Sequence, residues 1–469
     1  MGSFVNRTGE LDSLEGWWSR PGPGFGVVWG RRRVGKSWLL AKFAENRRTI
    51  IHTARARPLG QELALLSETA AATISPARRS LADRPFRDWD DAFEVFAAAA
   101  ETQPLLVILD EFPGLLASTP NLEDELRAIW DRVSADSTHL KVLICGSSVR
   151  VMEAIQAQGA ALFGRADLRL HVRPFRPHEA ATMLAPLSPA ERAAAWGVCG
   201  GIPRYLAMWD AGSSFNANLQ RLVCDEQGLL LSEGELALAD EEIVGHRGAH
   251  LPEQVLRAVA AGDTTFSAIH GAVGKLPIRT LDQLVESRLL ERVVPVTDNP
   301  KTSKTSFYRI ADNFLAFWLR CVEPHRAQIE RGLGRSVAPV ITASFDDHMG
   351  SRYEDAFRDH LRRRAEIGDL GPDIVAVGEW WQTRGKSDAD PCQLDAVVLA
   401  GRAATPITVG EAKWAKKVNG SSVVGGMRRK LYESRFADPD AVTLIVCARE
   451  SVDRSDGITT VTAADIFPG

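Results

Sequence analysis

The sequence is poor in the features that would place it in several large protein classes. It has no long hydrophobic run: its longest apolar stretches, such as LLVIL at 105–109, fall far short of the roughly 18 residues a membrane-spanning helix needs. Neither charge is in excess, because 56 Lys and Arg face 60 Asp and Glu, a net of −4. Bulk charge therefore advertises no nucleic-acid partner, and one would have to be held by a local patch. The six cysteines (145, 199, 224, 321, 392 and 447) include no C-x-x-C pair and no metal-finger spacing, so they are expected to be reduced, mostly buried thiols of a cytoplasmic protein. MGSFVNRTGE turns polar within six residues, which predicts no secretory signal, and Asn6 stands where a myristoylation signal needs Ser or Thr. Internal repeats and long low-complexity tracts are absent too. What remains is a 469-residue chain, 45% hydrophobic and 25% charged, the composition of a globular multidomain protein with no membrane partner.

Along the chain, GPGFGVVWG (22–30) is a short apolar run between glycines, and it leads into a helical pattern in RRRVGKSWLLAKFAE. PLLVILDEF (104–112) and HLKVLICGSS (139–148) are two more strand-like runs, with helical patterns between them, and ADLRLHVRPF (166–175) is a fourth. Short buried strands alternating with helices imply a parallel α/β sheet. An Ala-rich helical stretch follows to about 245. From 252, three short amphipathic helices and a polar-tipped hairpin, VVPVTDNPKTSKTSFYRI, give the order of a winged helix. GLGRSVAPVITASF reads as a linker to a last α/β segment, with a helix DDHMGSRYEDAFRDHLRRR and strands near 393–399, 407–411 and 442–447.

Gly30-Arg31-Arg32-Arg33-Val34-Gly35-Lys36-Ser37 fits G-x-x-x-x-G-K-S between a predicted strand and a predicted helix that continues through Trp38. Glycines let backbone N–H groups line a concavity, and the helix N-terminus adds positive potential. Lys36 is expected to reach the β- and γ-phosphates, and Ser37 to ligate Mg²⁺. In LVILDE, Asp110 at the end of a buried strand is a second candidate magnesium ligand, and Glu111 a candidate base for the attacking water. Ser147 or Ser148, ending VLICGSS, is placed to sense the γ-phosphate; a plain strand-end turn is the alternative. Arg165, in LFGR, is a candidate trans-acting arginine, or a surface residue paired with a carboxylate.

FVNRTGELDSL (4–14), GRRRVGKS, ILDEF, CGSS, LFGR and GGIPRYL (200–206) occur in this order, and together the chain resembles the archaeal-type AAA+ ATPases of the STAND group. DEQGLLLSEGEL (225–236) and YRIADNFLAFW (308–318) extend the likeness over nearly the whole chain. The resemblance implies ATP as ligand, adenine contact by the segment Val5, Asn6, Arg7 to Glu10, and a lid position near the nucleotide for Pro203. Members are often suspected of association with DNA or defence.

In the tail, Glu354 on a helix, Asp395 within QLDAVVL, and Glu411 with Lys413 ending ITVGEAKW converge on a PD-(D/E)xK nuclease core. Carboxylates on adjacent strand ends, here Asp395 and Glu411, can share a divalent metal, while a lysine steadies the attacking water or the phosphate. Ordinary strand-end charges are the competing reading. The resemblance supports the nuclease reading, because the family carries a matching tail with tryptophans such as Trp380 and Trp381 ahead of the strand. Leu394 replaces the usual proline before the first acid.

In the winged helix, Arg279, Thr280 and Gln283 are candidate base readers, and Lys301 and Lys304 candidate phosphate contacts. Residues 251–320 hold nine basic and seven acidic residues, a weak footprint that leaves a protein-spacer role open. His246 and His250 lack the glutamate of a zinc protease, and the Phe314, Leu315, Phe317, Trp318, Leu319 cluster reads as core.

The expectation is thus a multidomain α/β protein: an AAA+ ATP-binding domain (1–180), a helical lid (181–250), a winged helix (251–325) and a restriction-nuclease-like domain (340–469). It would bind and hydrolyse ATP with Mg²⁺, engage DNA, and assemble with copies of itself. Cleavage by the tail, or binding without cutting, are its two functional outcomes.

Overall fold

The computed structural model describes residues 4–76, 80–136, 139–240, 250–382, 392–454 and 457–469. His246 lies outside them. The chain forms two compact units, Met1–Arg173 and Pro174–Gly469.

The first unit is built on five strands: β1 (Gly24–Trp29), β2 (Thr49–Thr53), β3 (Leu105–Asp110), β4 (Leu140–Gly146) and β5 (Leu168–His171). They pair in the order β2-β3-β4-β1-β5, all parallel. Every residue of β1, β3 and β4 is buried, as expected of a sheet covered on both faces. Side chains alternate between two apolar layers: Leu105, Val107 and Leu109 of β3 join one, Leu106 and Ile108 the other. Three central strands match the sequence expectation. β2 has no place in it, because TIIHT is short and only Ile50 and His52 are buried. Helix Trp89–Ala100, capped by the Asp88 side chain on Asp91 N–H, covers one face together with helix Leu122–Asp136; such a cap is worth about 1 kcal/mol.

In the second unit, helices His250–Ala261, Phe266–Val273 and Ile278–Glu286 precede an antiparallel hairpin of β6 (Leu290–Val293) and β7 (Phe307–Ile310). A mixed sheet follows, from β8 (Ile374–Gln382), β9 (Cys392–Ala400), β10 (Thr405–Lys413), β12 (Thr443–Ala448) and β14 (Thr459–Thr462), in the order β14-β12-β10-β9-β8. β11 (Lys417–Asn419) and β13 (Ser451–Asp453) form a separate parallel pair. Ala396 and Val398 of β9 face a core that runs from Phe175 to Phe467, while Leu394, Val397 and Leu399 face a second apolar layer under helix Gly420–Ser434. The Ala-rich helices after Pro174, the helix-hairpin and the tail segments thus share one core.

The expected linker at 332–345 is corrected by the structure: Gly334–Glu366 is one helix of 33 residues. Gly334 and Pro339 suggest a break, but Val337, Ile341, Phe345, Met349, Tyr353, Phe357 and Leu361 recur every fourth residue and bury a continuous stripe. Packing outweighs local propensity here.

Candidate functional site

The phosphate loop connects β1 to helix Lys36–Ala44. Gly30 (φ 155°) must be glycine, since a Cβ there would lie 2.1 Å from the Val172 carbonyl oxygen. Gly35 (φ 95°) and Arg33 (φ 69°) are left-handed, which turns the chain into the helix. The N-cap Gly35 makes no side-chain cap bond, and the helix N-terminus turns its positive potential toward the loop. The Lys36 ammonium is buried and donates to the carbonyls of Gly30 (2.7 Å) and Arg31 (3.0 Å). Val34 is fully buried, and Trp38 is 51% exposed.

The loop is braced from the N-terminal segment. Asn6 and Arg7 are both left-handed (φ 57° and 66°), and the buried Arg7 guanidinium donates to Val34 O at 2.7 Å and to Glu10 at 2.6 Å. Arg7, expected from the resemblance to meet adenine, therefore grips the loop backbone; Val5 and Asn6 lie half-buried beside it in sequence.

Opposite the loop, Ser37 Oγ donates to Asp110 Oδ2 at 3.2 Å, bringing the two expected magnesium ligands together at the end of β3. A hydroxyl and a buried carboxylate beside a phosphate cradle are a fitting donor pair for Mg²⁺. Glu111 (φ 54°) is left-handed, and its Oε2 accepts from Ser147 Oγ at 2.9 Å. Ser147 thus meets the candidate base, while Ser148 caps the next helix by accepting from Val151 N–H. Arg165 makes two bonds to Asp131, at 3.2 and 2.9 Å, the carboxylate pairing that was the alternative to a trans role. Pro203 opens the short helix Pro203–Leu206 in the second unit.

The tail residues also converge. Asp395, buried on β9, accepts the Ala412 N–H at 3.0 Å, and Lys413 Nζ stands 3.6 Å from Asp395 and 3.0 Å from Glu411. Burial, then the Asp395 charge, pushes Glu354 up to about 8, so it is largely protonated at neutral pH. Burial, followed by the neighbouring Glu411, also raises Asp395. Burial pulls Lys413 down, but Asp395 and Glu411 outweigh it and hold it above its usual value.

Three partners lie outside the sequence expectation. Lys430, on helix Gly420–Ser434, donates to both Glu411 oxygens at 2.8 and 3.0 Å. Arg358 donates to the Asp395 carbonyl at 2.6 Å, and Glu379 of β8 lies 3.8 Å from Arg358. Arg358 follows Glu354 by one helical turn, a spacing that could have pointed to it; Lys430 sits in no motif. As a result Asp395 and Glu411, the expected metal pair, each have an ammonium beside them. Among the described residues no group of three or more His, Cys, Asp or Glu could hold a metal ion. As folded, lysine side chains stand where a divalent ion on Asp395 and Glu411 would bind.

On the helix-hairpin segment, Arg279, Gln283, Lys301 and Lys304 are exposed. Thr280 is the correction: it is buried beside Leu281 and Leu284, and a side chain turned to the core cannot reach a base edge. The hairpin base is anchored to the tail, with Arg309 contacting Glu291 (2.8 Å), Asp355 (2.6 Å) and Glu379 (3.2 Å). Burial raises Asp355, but Arg309, Arg352 and Arg358 hold it well below the usual carboxylate range. Among the described residues no helix is long and apolar enough to cross a membrane.

Comparison with known proteins agrees with this geometry. Residues 4–209 match a family described as an ATPase domain predominantly from Archaea, and residues 318–423 a family of archaeal and bacterial proteins of unknown function. An uncharacterized protein of Methanocaldococcus jannaschii is 26% identical over 88% of this chain and 87% of its own. An uncharacterized ATP-binding protein of the same organism is 47% identical over 45 residues, 10% of this chain and 76% of its own. Among solved structures, a Walker-type ATPase of Pyrococcus abyssi superposes with a TM-score of 0.54 at 21% identity, covering 68% of this chain and 96% of that one. With the parallel sheet, the phosphate loop and the Ser37–Asp110 pair already in place, the first unit carries a Walker-type P-loop ATPase fold, and the protein is an ATP-hydrolysing enzyme.

Proposed function

We propose that the protein couples its nucleotide state to engagement of DNA by the second unit, read as a helical lid, a winged helix and a PD-(D/E)xK nuclease-like tail. In the ATPase unit, Lys36 and the loop N–H groups bind the phosphates, and Glu111 accepts a proton from the attacking water. Magnesium, held by Ser37 and Asp110, would neutralise phosphate charge. Glu111 bonded to Ser147 is occupied, so turnover includes its release. Arg165 would act in trans only where a neighbouring copy draws it from Asp131.

The observation that carries the DNA reading is the meeting of Asp395, Glu411 and Lys413 at one place, with ammonium and carboxylate groups suited to a phosphodiester. Exposed Arg279, Gln283, Lys301 and Lys304 offer the second contact surface. Metal-dependent cleavage is the stronger form of this proposal. Lys430, bonded to both Glu411 oxygens, favours the weaker form, a switch or scaffold whose tail binds without cutting.

The test combines binding and cleavage of supercoiled, linear and branched DNA by the full chain, with ATP, ADP or no nucleotide, in Mg²⁺ or Mn²⁺. Nucleotide-dependent DNA affinity is expected. Nicking lost in Asp395→Asn would establish the stronger form, and no DNA affinity in any nucleotide state would refute both.

A further inference from the structure

Lys430 has no role in the motif that drew attention to the tail, yet it makes the most complete contact there. Its ammonium lies 2.8 Å from Glu411 Oε1 and 3.0 Å from Oε2, spanning the carboxylate as a bound cation would. Lys413 approaches the same Oε1 at 3.0 Å and Asp395 Oδ2 at 3.6 Å. Asp395 and Glu411 are thus each met by a lysine side chain.

Geometry separates the two lysines. Lys413 is the last residue of β10, two positions from Glu411, and its 45% exposed side chain stands at the rim. Lys430 arrives from a different element, the helix Gly420–Ser434, and donates to both oxygens of Glu411. A divalent ion on Glu411 would have to displace that ammonium or bear its repulsion at close range.

We propose that Lys430 is the resident cation of the tail centre: its ammonium occupies the Glu411 carboxylate in place of a divalent metal, and its removal converts the Asp395–Glu411 pair into a metal site. This inference rests on reading the tail as a nuclease-like centre. It explains why the residues of a metal-dependent motif come together without a metal-ready donor set. Lys430 is thus a positioning residue, which sets the occupancy of Glu411 by charge.

The experiment is Mn²⁺ binding by the nucleotide-free full-length protein, followed by loss of the free-ion electron paramagnetic resonance signal. Wild type, Lys430→Met, Lys430→Gln, Lys430→Arg, Asp395→Asn and the Asp395→Asn/Lys430→Met double variant are compared, and circular dichroism checks their folding. Manganese held elsewhere, at Ser37 and Asp110, is common to all six and cancels. The Met and Gln variants should bind Mn²⁺ about tenfold or more tighter than wild type at a site the double variant lacks, and the Arg variant should stay at the wild-type level because it keeps the charge. Wild type binding as tightly as Lys430→Met, at an Asp395-dependent site, would overturn the inference and leave the nuclease-like reading standing. No Asp395-dependent manganese in any variant would remove that reading, and the inference with it.

Discussion

The phosphate loop and the tail centre both gather lysine and carboxylate groups, but they are assembled in opposite ways. In the loop, eight consecutive residues supply the cradle, and backbone geometry does most of the work: left-handed Arg33 and Gly35, a glycine pressed against Val172, and an uncapped helix N-terminus. The tail draws Glu354, Asp395, Glu411, Lys413 and Lys430 from four elements, and side-chain charge does the work. A backbone cradle tolerates little change in shape but is indifferent to its neighbours' charges. A side-chain centre tolerates changes in shape and is reset by one charge.

That contrast predicts its largest effects at the loop. Lys36→Ala should abolish ATP turnover, a loss of at least about a hundredfold, because the phosphate charge loses its fixed counter-ion. Glu111→Gln should keep ATP affinity and lose turnover, measured by nucleotide binding beside phosphate release. Retained turnover in Lys36→Ala would end the phosphate-loop assignment.

Next is shape. Gly30→Ala places a methyl 2.1 Å from a backbone oxygen, and should destabilise the first unit by roughly 3 kcal/mol, read as a drop in melting temperature. If the backbone cradle is as intolerant as proposed, no second-site charge change will restore it.

The tail should respond to charge and pH instead. Glu354 rises from its ordinary 4.5 to about 8, so between those values the folded chain holds a proton that the unfolded chain has released. Stability should therefore fall as pH rises through that window, by at most about 1.4 kcal/mol per pH unit for one proton. Chemical denaturation across pH 5–8 should show this slope, and Glu354→Gln should flatten it. An unchanged slope would mean that Glu354 is ionised in the fold.

The smallest effects belong to the exposed helix-hairpin residues. Arg279→Ala should weaken DNA binding by about 1–3 kcal/mol if it meets a base. Lys301→Ala with Lys304→Ala should reduce the salt slope by roughly one unit per lost phosphate contact. If neither affinity nor salt slope moves, the segment is a protein spacer, and the comparison narrows to the tail alone.

The two centres also differed in legibility. Gly30 to Ser37 could be read directly, because a loop's chemistry is local and its spacing fixed. Asp395, Glu411 and Lys413 are visible as charges in or ending strands, two to eighteen residues apart. Lys430 is not, since nothing in KLYES marks a lysine that reaches across to a strand. Thr280 escapes because helical periodicity locates the face of a short helix only to within one residue, and the 332–345 stretch because its apolar stripe becomes clear only when the whole helix is aligned. β2 escaped because only two of its side chains are buried.

The helix Gly334–Glu366 has a mechanical consequence. At about 1.5 Å per residue its 33 residues make a strut of roughly 50 Å. Along it, His348 meets the Gly197 carbonyl, Arg352 the Ile310 carbonyl, Tyr353 the Ala448 carbonyl and Arg358 the Asp395 carbonyl. Three segments remote in sequence are thus bolted to one beam within about three turns. A force applied to the hairpin is delivered to the tail as displacement rather than absorbed as bending, so the second unit should yield under load in one step.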